Sequence, residues 1–466
     1  MTSLYVPSRT LTSPPRTVAP ITPPVSRLRL WFRHPAWPLK AVMYGFPLFW
    51  LLGLGEFSWP IIAAPMAYQM WRLRRPIKVP PYFGVWLALM AWVLAGGLLI
   101  GEHLAGTLIG SGGYTGWVLR LVDMVAVTIL LLYVGNLTED ELPSRQIVRM
   151  MAFLFGVTIL GGLLGVVLGN VSFSSPFELV LPHGVRSNYY VKQLVHPGFA
   201  QVQDVLGHTS PRPKAPFAYT NSWGNNISLL LIWFVVGYWI KGSRRSKYAV
   251  LAIGAVAAIP IIYSLNRGVW IGLGLTMLFL TCKLASRGKF GLLAAVMAIV
   301  AVGAAVFAFT PLNSIVTQRL SHGQSNSIRS SLDRQAFDAA VKSPIVGWGT
   351  TRSALGSPTS IGIGKTPSCP TCGNAPIGST GEIWAVLIAN GFVGAILFLG
   401  FPLLVAWRYR SDDRPEAVAS RLILYLVPFY SLFYAELPTA LSLTFISMAM
   451  LWRSNARPSN VVGAKV

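Results

Sequence analysis

Long apolar runs alternate with polar breaks along most of this chain. The runs lie at roughly 41–55, 58–71, 82–101, 117–136, 147–169, 223–240, 248–264, 268–285, 290–309, 383–408, 419–436 and 438–452, twelve in all. An apolar helix of about 17–25 residues matches the hydrocarbon thickness of a bilayer. A helix also satisfies its own backbone hydrogen bonds, as lipid requires. The pattern therefore predicts an all-α polytopic membrane protein with about twelve transmembrane helices. The first two and last two runs are short and read as tight hairpins turning at 55–58 and 436–438.

Composition agrees with this reading. Only 11% of residues are charged, against about 25% in a typical soluble protein. Net charge is +23, which alone could suggest nucleic acid, but its placement follows topology instead. Lys and Arg crowd the segments 72–80, 241–247, 283–289 and 408–421, whereas 102–116 has none. With twelve spans, every basic short loop falls on the cytoplasmic side, as the positive-inside rule demands, and so do both termini. Residues 1–38 are rich in Pro and Arg without an apolar core, and predict a disordered cytoplasmic tail rather than a signal peptide. The expected organisation is that tail, a membrane domain over 39–452, and a cytoplasmic tail over 453–466. Two long segments, roughly 170–222 and 310–382, fall outside and predict a partly helical cap.

Arg267 stands at the tip of a hairpin between two apolar runs, in YSLNRGVWIG. One reading is an interfacial anchor with its stem buried and its head among phosphates. The outer face as a whole is cationic, however. Arg319, Arg329, Arg334, Lys342, Arg352 and Lys365 face only Asp333, Asp338 and Glu382 in the second long loop, and the first adds Arg186, Lys192, Arg212 and Lys214. Such a surface suits an anionic ligand at the membrane interface, a lipid phosphate or diphosphate.

Within the second loop, IRSSLDRQAFDAAVKSPIVGWGT predicts a helix. Ser330 or Ser331 serves as cap, and Asp333 and Arg334 occupy the first turn. Leu332, Phe337, Ala340 and Val341 give an apolar face. Ser343-Pro344 ends the helix, and Gly347-Trp348-Gly349 turns the chain. Arg334 either pairs with Asp338 one turn on or joins Arg267 on one diphosphate.

Four stretches resemble the O-antigen ligase and polymerase superfamily of membrane glycosyltransferases. They are AYTNSWGNN (218–226), which holds Asn221, SLNRGVWIGL (264–273), DRQAFDAAVKSPIVGWGT (333–350) and GEIWAVLIANGFVGAILF (381–398). Their order and their outer location agree with that family over roughly residues 210–440. The resemblance implies glycan transfer from a polyprenyl-diphosphate carrier to a hydroxyl of an acceptor glycan or glycolipid, outside the cytoplasmic (inner) membrane. It implies neither a cofactor nor a metal. Arg267 and Arg334 would then bind the diphosphate and neutralise the charge that grows as the anomeric C–O bond breaks, with Asn221, Arg329 and Asp338 as secondary candidates.

Some ligases of the family carry a His at the mouth of the helix that follows the large loop; here Thr380 stands there. Candidates to activate the acceptor hydroxyl are Glu382 and Glu436, since carboxylates near lipid are rarely idle. Glu382 is also explained as a helix-end carboxylate. Cys369 and Cys372, in PSCPTCG, predict a local disulfide in an oxidising compartment. Histidine spacings match no zinc motif. The partners expected are the lipid-linked donor, the acceptor and membrane lipid, with no nucleic acid. Two other classes remain open: a lipid-linked glycan flippase or transporter, and a polyprenyl-phosphate-dependent mannosyltransferase-like enzyme. The flippase reading lacks repeated halves, and mid-helix charge is confined to Arg120 and Asp123 in the fourth run. The mannosyltransferase reading finds a single acid, Glu56, in the first outer turn, where that class prefers a pair.

Overall fold

A computed structural model describes residues 32, 34–108, 113–186, 189–204, 209–291, 293–294, 297–298, 300–301, 312–321, 324–354, 376–435 and 438–455. The described residues are mostly helical. The helices of the membrane domain are α1 (Trp37–Leu51), α2 (Ser58–Leu73), α3 (Phe83–Gly96), α4 (Tyr114–Asn136) and α5 (Ser144–Leu168). Short helices α6 (Pro176–Val180), α7 (His183–Arg186) and α8 (Tyr189–Val195) follow, with a hairpin of β1 (Ala200–Asp204) and β2 (Thr209–Pro213). Then come α9 (Thr220–Phe234), α10 (Arg244–Tyr263), α11 (Arg267–Ala285), α12 (Leu312–Ser321) and α13 (Gln324–Lys342). After a two-residue ladder of β3 (Arg352–Ser353) and β4 (Pro376–Ile377), the chain closes with α14 (Glu382–Arg408), α15 (Pro415–Ser431) and α16 (Pro438–Asn455).

Eleven of the twelve apolar runs are thus helices, and the run at 290–309 lies largely outside the described residues. Among the described residues, six helices are long and apolar enough to cross a membrane: α4, α5, α9 with its continuation to Ile240, α10, α11 and α14. Helix α16 is not one of them, and its burial explains why it need not be apolar. It is enclosed on nearly every side, so small polar residues are tolerated where they find partners. Trp59 Nε1 donates to Thr439 Oγ1 at 3.0 Å, and Trp233 Nε1 to Ser447 Oγ at 3.0 Å.

The boundaries differ modestly from expectation. Helix α1 begins at Trp37, inside the expected tail, with the Phe32 ring 5.0 Å from that of Trp37. Helix α16 extends past residue 453, and Arg453, 3% exposed, donates to Leu142 O at 2.8 Å. Helix α13 begins at Gln324, so Ser330 and Ser331 lie inside it rather than capping it. Its buried face is Leu332, Ala336, Ala339 and Ala340, while Phe337 and Val341 are exposed. That face follows the 3.6-residue period, packing small alanines where a larger residue would hold the helix off its neighbour.

The basic loops meet at one end of the bundle. Lys241 pairs with Glu416, Lys283 and Arg287 with Asp413, Arg75 with Glu141, and Arg453 with Glu139. Each exposed pair stabilises little, yet together they gather the segments that topology assigns to a single side. The two long segments gather at the opposite end, where β2 packs on α5 and α13 packs on α14.

Helix α14 is broken. At Gly391 the backbone turns to φ 66°, ψ −168°, a conformation open only to glycine without strain. The carbonyls released by the break find partners in the cap: Trp348 N donates to Ile388 O at 2.9 Å and Gly349 N to Ala389 O at 2.8 Å. Phe392 N donates to Pro344 O at 2.8 Å, and Trp92 Nε1 to Asn390 O at 3.1 Å. The turn predicted at Gly347-Trp348-Gly349 therefore exists to clasp this break. Arg352, 3% exposed, seals the same junction by donating to the carbonyls of Trp348, Ile100 and Glu102.

A Cβ at residue 391 would lie 2.6 Å from the carbonyls of Pro344 and Ile345. Gly391→Ala should therefore lower stability by roughly 2–4 kcal/mol, combining left-handed strain and overpacking. Gly400→Ala, in the same helix with nothing within 4 Å of the added methyl, should leave it unchanged. Thermal unfolding in detergent micelles compares the two.

Candidate functional site

Between the cap and the bundle lies a cavity of about 710 Å³. Its walls come from α3, α4, α8, the β1–β2 hairpin, α9, α13, the Gly349–Thr351 turn, β4, α14, and Phe433, Ala435 and Pro438. Trp86, Leu89, Val93 and Phe398 make its deep part apolar, and the charged groups divide into two sets.

The cationic set is Arg212 and Arg329. Arg212, 5% exposed, donates its Nε to Ser264 O at 2.7 Å. That bond ties β2 to the turn that carries Arg267. The turn is fixed from other sides as well. Tyr434 donates its hydroxyl to Asn266 Oδ1 at 2.7 Å, and Asn266 Nδ2 reaches Asn221 Oδ1 at 3.5 Å. Leu265 takes a left-handed φ of 52°, a strained conformation that these bonds hold in place. Arg267 thus starts α11 at a rigid hairpin, half-buried. Its positive charge acts on Arg329: burial first, then Arg267, pulls the Arg329 guanidinium below its usual range, while Tyr434 and Asp333 oppose. An anion beside Arg329 would relieve that repulsion.

The acidic set faces Arg120. Arg120 Nη2 lies 3.5 Å from Glu382 Oε1, with Asp123 one turn along the same helix. Glu56 and Glu382 act electrostatically on Asp123, and all three act on Tyr190. Glu56 is 4% exposed and accepts from Thr439 Oγ1 at 3.0 Å. Thr380 donates to Asp333 Oδ1 and so joins the mouth of α14 to α13.

The expected site residues separate accordingly. Glu382, Asn221 and Arg329 line the cavity, and Arg267 adjoins it through Arg329. Arg334 and Asp338 are exposed on α13, no ion pair joins them among the described residues, and neither lines the cavity. The partner that Arg267 finds on α13 is Arg329, more than one turn before Arg334. Glu436, Cys369 and Cys372 lie outside the described residues. Arg212 entered the sequence reading only as one loop cation among several, because its position depends on the β1–β2 pairing. Asn390 was not singled out at all. Arg120 and Asp123 did carry a signal, as the mid-helix charges of an apolar run. Among the described residues no three His, Cys, Asp or Glu side chains are grouped to hold a metal ion.

Glu56 generates a pH prediction. Burial pushes its carboxyl up to about 7 from 4.5. The folded state therefore binds its proton more tightly than the unfolded chain does. Stability is greatest below about pH 4.5 and declines as pH rises to about 7, by up to about 3 kcal/mol. Glu56→Gln should remove that slope, as read from unfolding midpoints at pH 5 and pH 8. As to similarity with known proteins, no protein-family model matches this chain, and neither a curated protein nor a solved structure matches it.

Proposed function

We propose that this chain is a membrane glycosyltransferase. It moves a glycan from a polyprenyl-diphosphate carrier to a hydroxyl of an acceptor glycan or glycolipid at the outer face of the cytoplasmic membrane, as a cell-surface polysaccharide ligase or polymerase. The observation that carries the proposal is the cavity under the cap, whose lining holds Arg212 and Arg329 together with Asp123 and Glu382.

A diphosphate leaving group gathers negative charge as the anomeric bond breaks. Guanidiniums fixed in advance at that place stabilise the transition state more than the ground state, and do so best where water is scarce. Arg212, Arg329 and Arg267 are held by distinct elements, β2, α13 and the α10–α11 turn, so their spacing does not depend on the ligand. Arg329 takes the role that the sequence reading gave to Arg334, because it is half-buried on the cavity wall. The carboxylate wall suits the acceptor, whose hydroxyl needs a proton acceptor. The ring of basic loops at the opposite end of the bundle supports an outward-facing cap with cytoplasmic termini.

Purified protein in nanodiscs, given a polyprenyl-diphosphate-linked disaccharide and a sugar acceptor, tests the proposal. Transfer should persist in EDTA. Arg329→Lys and Arg267→Lys should each lower kcat/KM at least tenfold, since Lys keeps the charge but loses the planar fork. Arg334→Lys should stay within about twofold. Active Arg329 and Arg267 variants would reduce both to structural anchors. Movement of the intact donor across the bilayer without cleavage would replace this reading with a flippase.

A further inference from the structure

On the reading just given, transfer needs a group that takes the acceptor's proton, and the cavity holds two carboxylates able to reach it. They are not equivalent. Glu382 is held by Arg120 at 3.5 Å and stands in the first turn of α14, where the helix dipole also stabilises its anion. Its anion is thus already matched within the protein. Glu56 is buried and engaged by Thr439, and does not line the cavity.

Asp123 differs from both. It lines the cavity and is half-buried. No hydrogen bond or ion pair engages its carboxylate among the described residues. The groups that act on it are Arg120 on its own helix, Glu56 from the α1–α2 turn and Glu382 from α14, with Tyr190 of α8 in the same field.

A second observation marks this part of the cavity as a place for a polar ligand. Asn390, 1% exposed, lines the same cavity, and among the described residues neither its Oδ1 nor its Nδ2 has a hydrogen-bond partner. A buried amide with both ends unmatched costs stability unless a ligand satisfies it. It sits at the α14 break, about 12 Å along that helix from Glu382 at 1.5 Å per residue. A glycan of two linked sugar rings can span that length while presenting one of its hydroxyls to Asp123.

We infer that Asp123 is the general base of glycan transfer, taking the proton of the acceptor hydroxyl while Glu382, held by Arg120, remains the fixed anion beside it. The acceptor oxygen bonds to the anomeric carbon as its proton passes to the Asp123 carboxylate. The anomeric C–O bond to the diphosphate breaks, and its electron pair leaves on the diphosphate oxygen beside Arg329 and Arg212. Asp123 then gives its proton to water.

The test uses full-length protein in nanodiscs with a polyprenyl-diphosphate-linked disaccharide as donor and a fluorescent disaccharide as acceptor. Asp123→Asn should lower kcat at least ~100-fold with donor affinity unchanged, and Asp123→Glu should recover part of the rate. The rate of wild type should rise with pH to a plateau, and the residual rate of Asp123→Asn should be flat. A variant within threefold of wild type, or one slow but sharing the wild-type pH profile, overturns the assignment and leaves the glycosyltransferase reading standing. A wild-type protein that cleaves no donor overturns both.

Discussion

The break in α14 at Asn390–Gly391 is the constraint on which the rest of this architecture depends. A continuous helix would keep its carbonyls to itself and present a closed apolar cylinder to the cap. Broken, it exposes the carbonyls of Ile388, Ala389 and Asn390 within the membrane domain, where unpaired backbone groups are costly. The cap turn supplies Trp348 N and Gly349 N, and α3 supplies Trp92 Nε1. The fit is close: a Cβ on Gly349 would meet Gly96 O at 2.2 Å, and one on Gly347 would meet Asn390 N at 2.5 Å. Backbone therefore packs directly on backbone across three segments distant in sequence. The same contact that mends the helix fixes α13 above the bundle, and α13 carries Arg329.

The cavity follows from that arrangement. It remains open because its walls are held apart by bonded frames rather than by side chains meeting across the gap. Arg212 is tied to Ser264, Asn266 to Tyr434, and Thr380 to Asp333. These frames put guanidiniums and carboxylates in one enclosure, where Arg120 lies 3.5 Å from Glu382. Charges held by such frames are prepared to act on a ligand, and the energy that holds them is supplied by packing elsewhere. Preorganisation of this kind suits a reaction whose leaving group gathers charge while its nucleophile sheds a proton.

Much of the frame was legible from residue order. Apolar runs predicted the helices because lipid and a packed helical core both demand them, and Ser343-Pro344 and the Gly347-Trp348-Gly349 turn were placed correctly because proline and glycine act locally. The buried face of α13 was read with Phe337 and Val341, yet the structure buries Ala336 and Ala339 instead. Close approach to α14 selects small residues, a preference that depends on the neighbour and not on α13 itself. The expected cap at Ser330 or Ser331 failed for a similar reason, since the helix extends a further turn and more toward Gln324.

Sequence by itself determined a helical, basic, lipid-suited chain with two long polar segments, a tight hairpin at Arg267 and carboxylates in unusual apolar settings. These are properties of composition and short-range spacing, and both are written residue by residue. Only tertiary structure decided that Arg329 and not Arg334 faces the cavity, that Arg212 joins it from a β-hairpin, and that Asp123 meets Glu56 and Glu382 from helices far apart in the chain. Side chains on a helix turn about 100° per residue, so Arg329 and Arg334 leave α13 in different directions. Which direction finds a cavity depends on how α13 docks on α14, through contacts that local sequence does not encode.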